Sequence, residues 1–231
     1  MRPSLLLTLG SVLIPALAQN TSETFVIDQC ADFNLVIQSH NKTLDGKLLG
    51  ACHDGAVHEG LCIVDNSFNF TSSYVNFQFN TTRGICTETN STGTFTIPCS
   101  NNPVDPTFQS GTLTWWLDFT GESGPDRISQ AMLLEFQPWS NVALAQISFD
   151  NYWSRTFVAF DKQDLLNILV SQDDMLEPGF EYLQNPKALY RWYICQTYYT
   201  EYHYTALTWV MGTHSPQNPT CEKVDVKRVF V

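Results

Sequence analysis

Basic residues are scarce in this chain: Lys and Arg number 12 against 23 Asp and Glu, which leaves a net charge of −11. A surface of that sign repels phosphate backbones and anionic headgroups, so neither nucleic acid nor an acidic membrane is an expected partner. Long apolar runs are missing too. Beyond residue 18 no stretch approaches the roughly twenty apolar residues of a membrane-spanning helix. The C-terminal run Lys223-Val224-Asp225-Val226-Lys227-Arg228 is not the apolar tail of a GPI signal. No membrane anchor is expected, therefore. No Cys-x-x-Cys pair occurs, which removes the usual zinc framework. Gly-x-Ser-x-Gly, His-Glu-x-x-His, the Walker A loop and the dinucleotide fingerprint are absent as well. No complete catalytic mechanism can be read, and neither a cofactor nor a bound metal is expected.

What is present points to export. Arg2, the apolar stretch from Leu5 to Ile14 and the small-x-small triplet Ala16-Leu17-Ala18 have the layout of a secretory signal peptide over residues 1–18, followed by one domain over 19–231. The seven cysteines suit a disulfide framework in an exported chain. They admit more than one connectivity. Joining near neighbours gives Cys52 with Cys62, Cys86 with Cys99 and Cys195 with Cys221, and leaves Cys30 over. Between Cys52 and Cys62, His53 and His58 offer metal ligands, but a disulfide-closed turn is the simpler reading. Five Asn-x-Ser/Thr sequons open at Asn20, Asn41, Asn69, Asn80 and Asn90. Glycans there would cover the first ninety residues and leave the later part as the binding face.

Hydrophobic patterning is that of strands. Phe33-Asn34-Leu35-Val36-Ile37 and Val75-Asn76-Phe77-Gln78-Phe79 alternate apolar with polar. The clearest alternation is Leu113, Trp115, Leu117 and Phe119 against Thr112, Thr114, Trp116 and Asp118. Residues 161–175 fit either a helix capped by Asp161 or a buried strand, and the all-β surroundings favour the strand. Tyr190 to Tyr204 reads as one long Tyr-rich strand. At the C-terminus, Val224 and Val226 fall out of phase with Val229 and Val231, which suggests a β-bulge at Lys227-Arg228. The expected fold is an all-β, two-sheet β-sandwich, jelly-roll-like and disulfide-stapled, with at most one short helix.

Candidate binding residues follow from the faces left over. Trp116 beside Asp118 offers an aromatic ring for sugar stacking and a carboxylate for hydroxyl groups. In the Tyr-rich segment, Tyr193, Tyr199 and Glu201 share a face that mixes rings with hydrogen-bonding groups. Core packing and surface solvation compete with both readings. For glycoside cleavage, which needs two carboxylates across a sugar, Asp118 and Glu135 are the candidate pair.

The order of segments resembles an uncharacterised family of small secreted fungal proteins, a domain of unknown function. The resemblance is carried by Phe33-Asn34-Leu35-Val36-Ile37, Gly50-Ala51-Cys52-His53-Asp54-Gly55-Ala56, Glu59-Gly60-Leu61-Cys62 and Ser140-Asn141-Val142-Ala143. To these it adds Arg191-Trp192-Tyr193-Ile194-Cys195, Tyr198-Tyr199, Trp209-Val210-Met211-Gly212 and Pro216-Gln217-Asn218-Pro219-Thr220-Cys221. It implies a single domain, a secreted setting and a Cys195–Cys221 link, and it brings no catalytic residue. The expected function is a non-enzymatic extracellular module that binds polysaccharide or glycoprotein. A glycoside hydrolase or lyase on the same fold, and a secreted protein-interaction factor such as an effector or inhibitor, are the alternatives.

Overall fold

The computed structural model describes residues 22–64, 72–90, 93–98, 109–121, 124–149, 155–173 and 181–231. The expected signal peptide at 1–18, the sequons at Asn20 and Asn69, and Cys99 lie outside the described residues, as do the side chains of Cys86 and Asn90. Sixteen strands follow one another: β1 (Ser22–Gln29), β2 (Phe33–Gln38), β3 (Leu48–Gly55), β4 (His58–Val64), β5 (Gln78–Asn90), β6 (Gly93–Pro98), β7 (Gly111–Gly121) and β8 (Gly124–Phe136). Then come β9 (Val142–Ser148), β10 (Phe157–Phe160), β11 (Leu166–Asp173), β12 (Glu181–Leu189), β13 (Trp192–Tyr199), β14 (Tyr202–Val210), β15 (Glu222–Lys223) and β16 (Asp225–Phe230). The helical content of the described residues is a 3-10 turn at Ser72–Val75. The all-β expectation holds.

Every pairing is antiparallel, and one hydrogen-bonded path runs β12-β11-β10-β7-β8-β9-β14-β4-β3-β2-β16. The apolar halves of the alternating strands face the inside of this curled sheet. Phe33, Leu35, Ile37, Leu49, Leu61, Leu113, Trp115, Met132, Ile147, Trp192 and Leu207 form one core, each at most 2% exposed. Buried indoles need a partner for their N–H. Trp115 donates to Ser73 O (2.8 Å) and Trp192 to Leu166 O (2.8 Å), while Trp192 and Trp209 meet edge to face.

One end of the path, β16, is drawn back against the turn that precedes β11 near the other end. Leu165 bridges Lys227, and Arg228 N donates to Asp164 O (2.9 Å). Arg228 Nη2 and Nε both reach Asp164 Oδ1, at 2.7 and 3.2 Å. This contact corrects the expected bulge. β16 pairs with β2 without a register shift, from Asp225↔Gln38 to Phe230↔Phe33. Val224 and Val226 point inward, and Arg228 takes the next inward position. Its guanidinium stacks on Phe160 (4.3 Å), Phe230 (4.8 Å) and Phe33 (5.7 Å). Val229 and Val231 face solvent. The phase slip in the sequence was an Arg standing where an apolar residue was expected.

Two other readings meet the structure differently. Residues 166–173 are a strand, and Asp161 holds the turn before it rather than a helix: its Oδ1 accepts from Gln163 N (2.8 Å) and Leu165 N (2.9 Å). The Tyr-rich segment is not one strand but a hairpin, β13 and β14, in which Tyr199 pairs with Tyr202 across Thr200-Glu201. Thr200 adopts φ +51°, a left-handed conformation uncommon for a β-branched residue, so no turn signal was visible in the sequence.

Disulfides join Cys52 to Cys62 and Cys195 to Cys221, as expected, and Cys30 is free. The two sequons with described side chains both have their Nδ2 engaged. Asn41 donates to Glu222 Oε2 (2.8 Å), and Asn80 donates to Thr114 Oγ1 (3.3 Å) in mid-sheet. A glycan on either would displace those bonds.

Arg228→Ala removes both the ring contacts and the Asp164 bonds at the junction of β16 with the turn before β11. The expected loss is about 2 kcal/mol, with Asp164→Ala losing less because its carboxylate is partly solvated. Urea unfolding with a double-mutant cycle checks this, and additive losses would disprove the coupling.

Candidate functional site

The structure does not bring the five expected binding residues together. Trp116 and Asp118 stand on the β7–β8 hairpin, where Asp118 pairs with Arg127 across the ladder. The Arg127 guanidinium lies 4.5 Å from the centre of the Trp116 ring, so one stacking face of that indole is already occupied. Tyr193 is half-buried against Val142, Cys195, Val210 and Cys221. Tyr199 is half-buried beside the His58 ring (6.0 Å). Glu201 sits exposed in the hairpin turn rather than in line with Tyr193 and Tyr199. Nor do Asp118 and Glu135 converge. Asp118 opposes Arg127, and Glu135 lies eight positions further along β8, roughly 27 Å away. Carboxylates that act on one glycosidic bond stand less than about 10 Å apart.

A different set of residues does converge. Between the β8–β9 turn and β13 the surface opens into a groove of about 220 Å³, lined among others by Gln137, Trp139, Gln196, Tyr198, Asn218 and Thr220. Its two aromatic walls are exposed, Trp139 at 75% and Tyr198 at 64%, with the His203 ring tilted against one side of Tyr198 at 4.2 Å. No Lys, Arg, Asp or Glu is among the lining residues.

Local chemistry fixes this groove in place. Asn141 N donates to Gln217 Oε1 and Gln217 N to Asn141 Oδ1, both at 2.8 Å, and Asn141 Nδ2 donates to Ser215 O (3.0 Å). That reciprocal pair ties the turn carrying Trp139 to the loop 213–220. The other end of the loop is held by the Cys195–Cys221 disulfide. Asn218 Nδ2 then donates to Gln196 O (2.9 Å), Gln196 N to Thr220 Oγ1 (2.9 Å), and Thr220 Oγ1 to Asn218 Oδ1 (2.7 Å). A set of polar groups is thus fixed in the groove beside two exposed rings before any ligand arrives. Trp139 was missed in the sequence, although an indole in the Pro-containing turn Gln137-Pro138-Trp139-Ser140 is a signal that packing does not explain.

A second polar cluster is closed to solvent. Asp54 and Glu59 flank the β3–β4 turn at 2% and 3% exposure. Gly60 makes room for Asp54, since a Cβ there would lie 3.0 Å from Asp54 Oδ2. Gln146 Nε2 donates to that same oxygen (3.2 Å), Gln130 Nε2 donates to Val57 O (3.2 Å), and Ser148 Oγ lies 3.2 Å from His58 Nε2. The β13–β14 turn covers the cluster. Thr200 Oγ1 donates to Asp54 O (3.4 Å), and Tyr204 donates through its hydroxyl to His53 O. Asp54 Oδ1, Glu59 Oε2, Gln130 Oε1 and Gln146 Oε1 are buried without a hydrogen-bond donor. These are acceptors, and a proton on either carboxyl would supply a donor that the cluster lacks. In accord with this, burial pushes Asp54 up to about 6; burial and then the nearby Asp54 charge push Glu59 up to about 7. Among the described residues no three His, Cys, Asp or Glu side chains are grouped to hold a metal ion.

Raised carboxyl pKa values have a definite sign. The folded state retains protons that the unfolded chain has already released, so this contribution to stability is full below about pH 4 and is lost as pH rises through about 6 to 7. The unfolding free energy measured with urea is expected to fall between about pH 4 and about pH 8, by an amount on the order of 2–3 kcal/mol for each carboxyl. Asp54→Asn and Glu59→Gln should flatten that slope. An unchanged slope in both variants would assign the pH dependence elsewhere.

The family model described as Domain of unknown function (DUF7907) matches residues 30–230. No curated protein and no solved structure matches the chain. The matched span contains all the strands that build the groove and the buried cluster, and over that length the chain belongs to the family Domain of unknown function (DUF7907).

Proposed function

We propose that this protein is an extracellular, non-enzymatic module that binds a polysaccharide or the glycan of a glycoprotein in the groove between Trp139 and Tyr198. The observation that carries the reading is the meeting of two exposed aromatic rings, Trp139 and Tyr198, with a pre-arranged set of amide and hydroxyl groups in one groove. Sugar rings present apolar C–H faces and a rim of hydroxyl groups. An exposed indole or phenol stacks on the first, and Gln196, Asn218 and Thr220 hydrogen-bond the second. Because these side chains are already held by hydrogen bonds to Thr205 Oγ1, to Gln196 O and to one another, little conformational entropy is lost on binding. The roughly 27 Å between Asp118 and Glu135 favours binding over cleavage. Secretion is supported by the layout of residues 1–18 and by two disulfides, which persist in oxidising compartments. Among the described residues no helix is long and apolar enough to cross a membrane.

Trp139→Ala and Tyr198→Ala should each weaken polysaccharide binding about tenfold, with thermal unfolding unchanged because neither ring belongs to the core. Co-sedimentation with insoluble polysaccharides, read alongside Trp fluorescence, measures this. Trp116→Ala should leave binding intact. Equal binding by wild type and both groove variants would refute the site. Release of soluble sugars in the same tubes would move the protein to the hydrolases.

A further inference from the structure

A second hollow, of about 190 Å³, adjoins the groove and is bounded by Arg191, Tyr193, Val210, Thr213 and His214. Val142 lines the groove and Val210 lines the hollow, and these two are cross-strand partners on β9 and β14, roughly 5 Å apart. The two depressions therefore open on the same side of the sheet, with the loop 213–220 between them. Gly212, at φ +66°, turns the chain from β14 into that loop.

The charge of the hollow is opposite to that of the protein. In a chain of net charge −11, the Arg191 guanidinium has neither a hydrogen bond nor an ion pair among the described residues. His214 stands beside it at the rim. Lys223, 5.5 Å from the Tyr193 ring, is already engaged: its ammonium donates to Val224 O (3.0 Å) and lies 3.8 Å from Asp225. Arg191 is the cation left to take a ligand. A guanidinium presents two parallel N–H groups that match a carboxylate, which a hydroxyl cannot satisfy equally. Tyr193 adds an aromatic face at the same rim.

We infer that this hollow is an acidic-sugar subsite: Arg191 receives the carboxylate of a uronic acid, His214 donates beside it, and Tyr193 supports the ring. The glycan of the neighbouring groove is then one that carries uronate residues. That second statement rests on the proposed function; the first does not.

The full chain is titrated with sodium galacturonate, with glucose and with sodium acetate while the His214 ring resonances are followed by NMR. In parallel, binding to polygalacturonate and to a neutral glucan is measured. Galacturonate is expected to move the His214 resonances at concentrations where glucose and acetate do not. Arg191→Gln should abolish that response and weaken polygalacturonate binding about tenfold, and Arg191→Lys should restore part of both. Unchanged thermal unfolding establishes that the variants are folded. His214 resonances indifferent to galacturonate, or shifted equally in Arg191→Gln, overturn the subsite. An equal response to acetate reduces it to a bare anion site and overturns the uronate assignment. A galacturonate response without polymer binding upholds the subsite and refutes the groove. Neutral-glucan binding that depends on Trp139, with galacturonate silent, does the reverse.

Discussion

An eleven-strand path of hydrogen-bonded strands buries its apolar side by curling, and in this chain the last strand, β16, comes back against the turn before β11, where Asp164 and Leu165 meet Lys227 and Arg228. An uncurled sheet of this length would leave one side of its apolar face in water and two edges open to other chains. The Arg228 guanidinium suits the junction because it does two jobs at once. Its flat face lies on the rings of Phe33, Phe160 and Phe230, and its edge satisfies Asp164. The core packed inside and the outer surface that carries the groove both depend on that curvature.

On the outer side, curvature brings segments distant in sequence to one place. The turn with Trp139, the strand with Gln196 and Tyr198, and the loop with Asn218 and Thr220 are separated by dozens of residues but line one groove. They are fixed by one covalent link, Cys195–Cys221, and one reciprocal side-chain pair, Asn141–Gln217.

The Asp54–Glu59 cluster couples the β3–β4 turn to the β13–β14 hairpin that supplies Tyr198. Acceptors outnumber donors around these carboxyls, and for Asp54 burial outweighs the opposing effects of Gln146, His58 and His53. Protonation is the means by which two buried acids remain compatible with a closed turn. A fold most stable in mild acid is the physical consequence.

Much of this architecture was legible in the sequence. Strict alternation such as Leu113, Trp115 and Leu117 against Thr112, Thr114 and Trp116 fixes strand type and inner face, because side chains on a strand alternate by geometry. The Cys52–Cys62 and Cys195–Cys221 links agree with near-neighbour pairing. What stayed hidden depended on partners. Thr200 turns without a glycine because Asp54 O accepts its hydroxyl, and Arg228 faces inward because three rings surround it. Cross-strand register, which no single strand encodes, separated Asp118 from Glu135 and left Trp116 under Arg127. The sequence alone determined the strand class and most of the inner faces, since those follow from local periodicity; the two disulfides agree with near-neighbour pairing but needed the fold to select them. Only the tertiary structure decided which surface residues meet, since register and curvature emerge when all strands pack around one core.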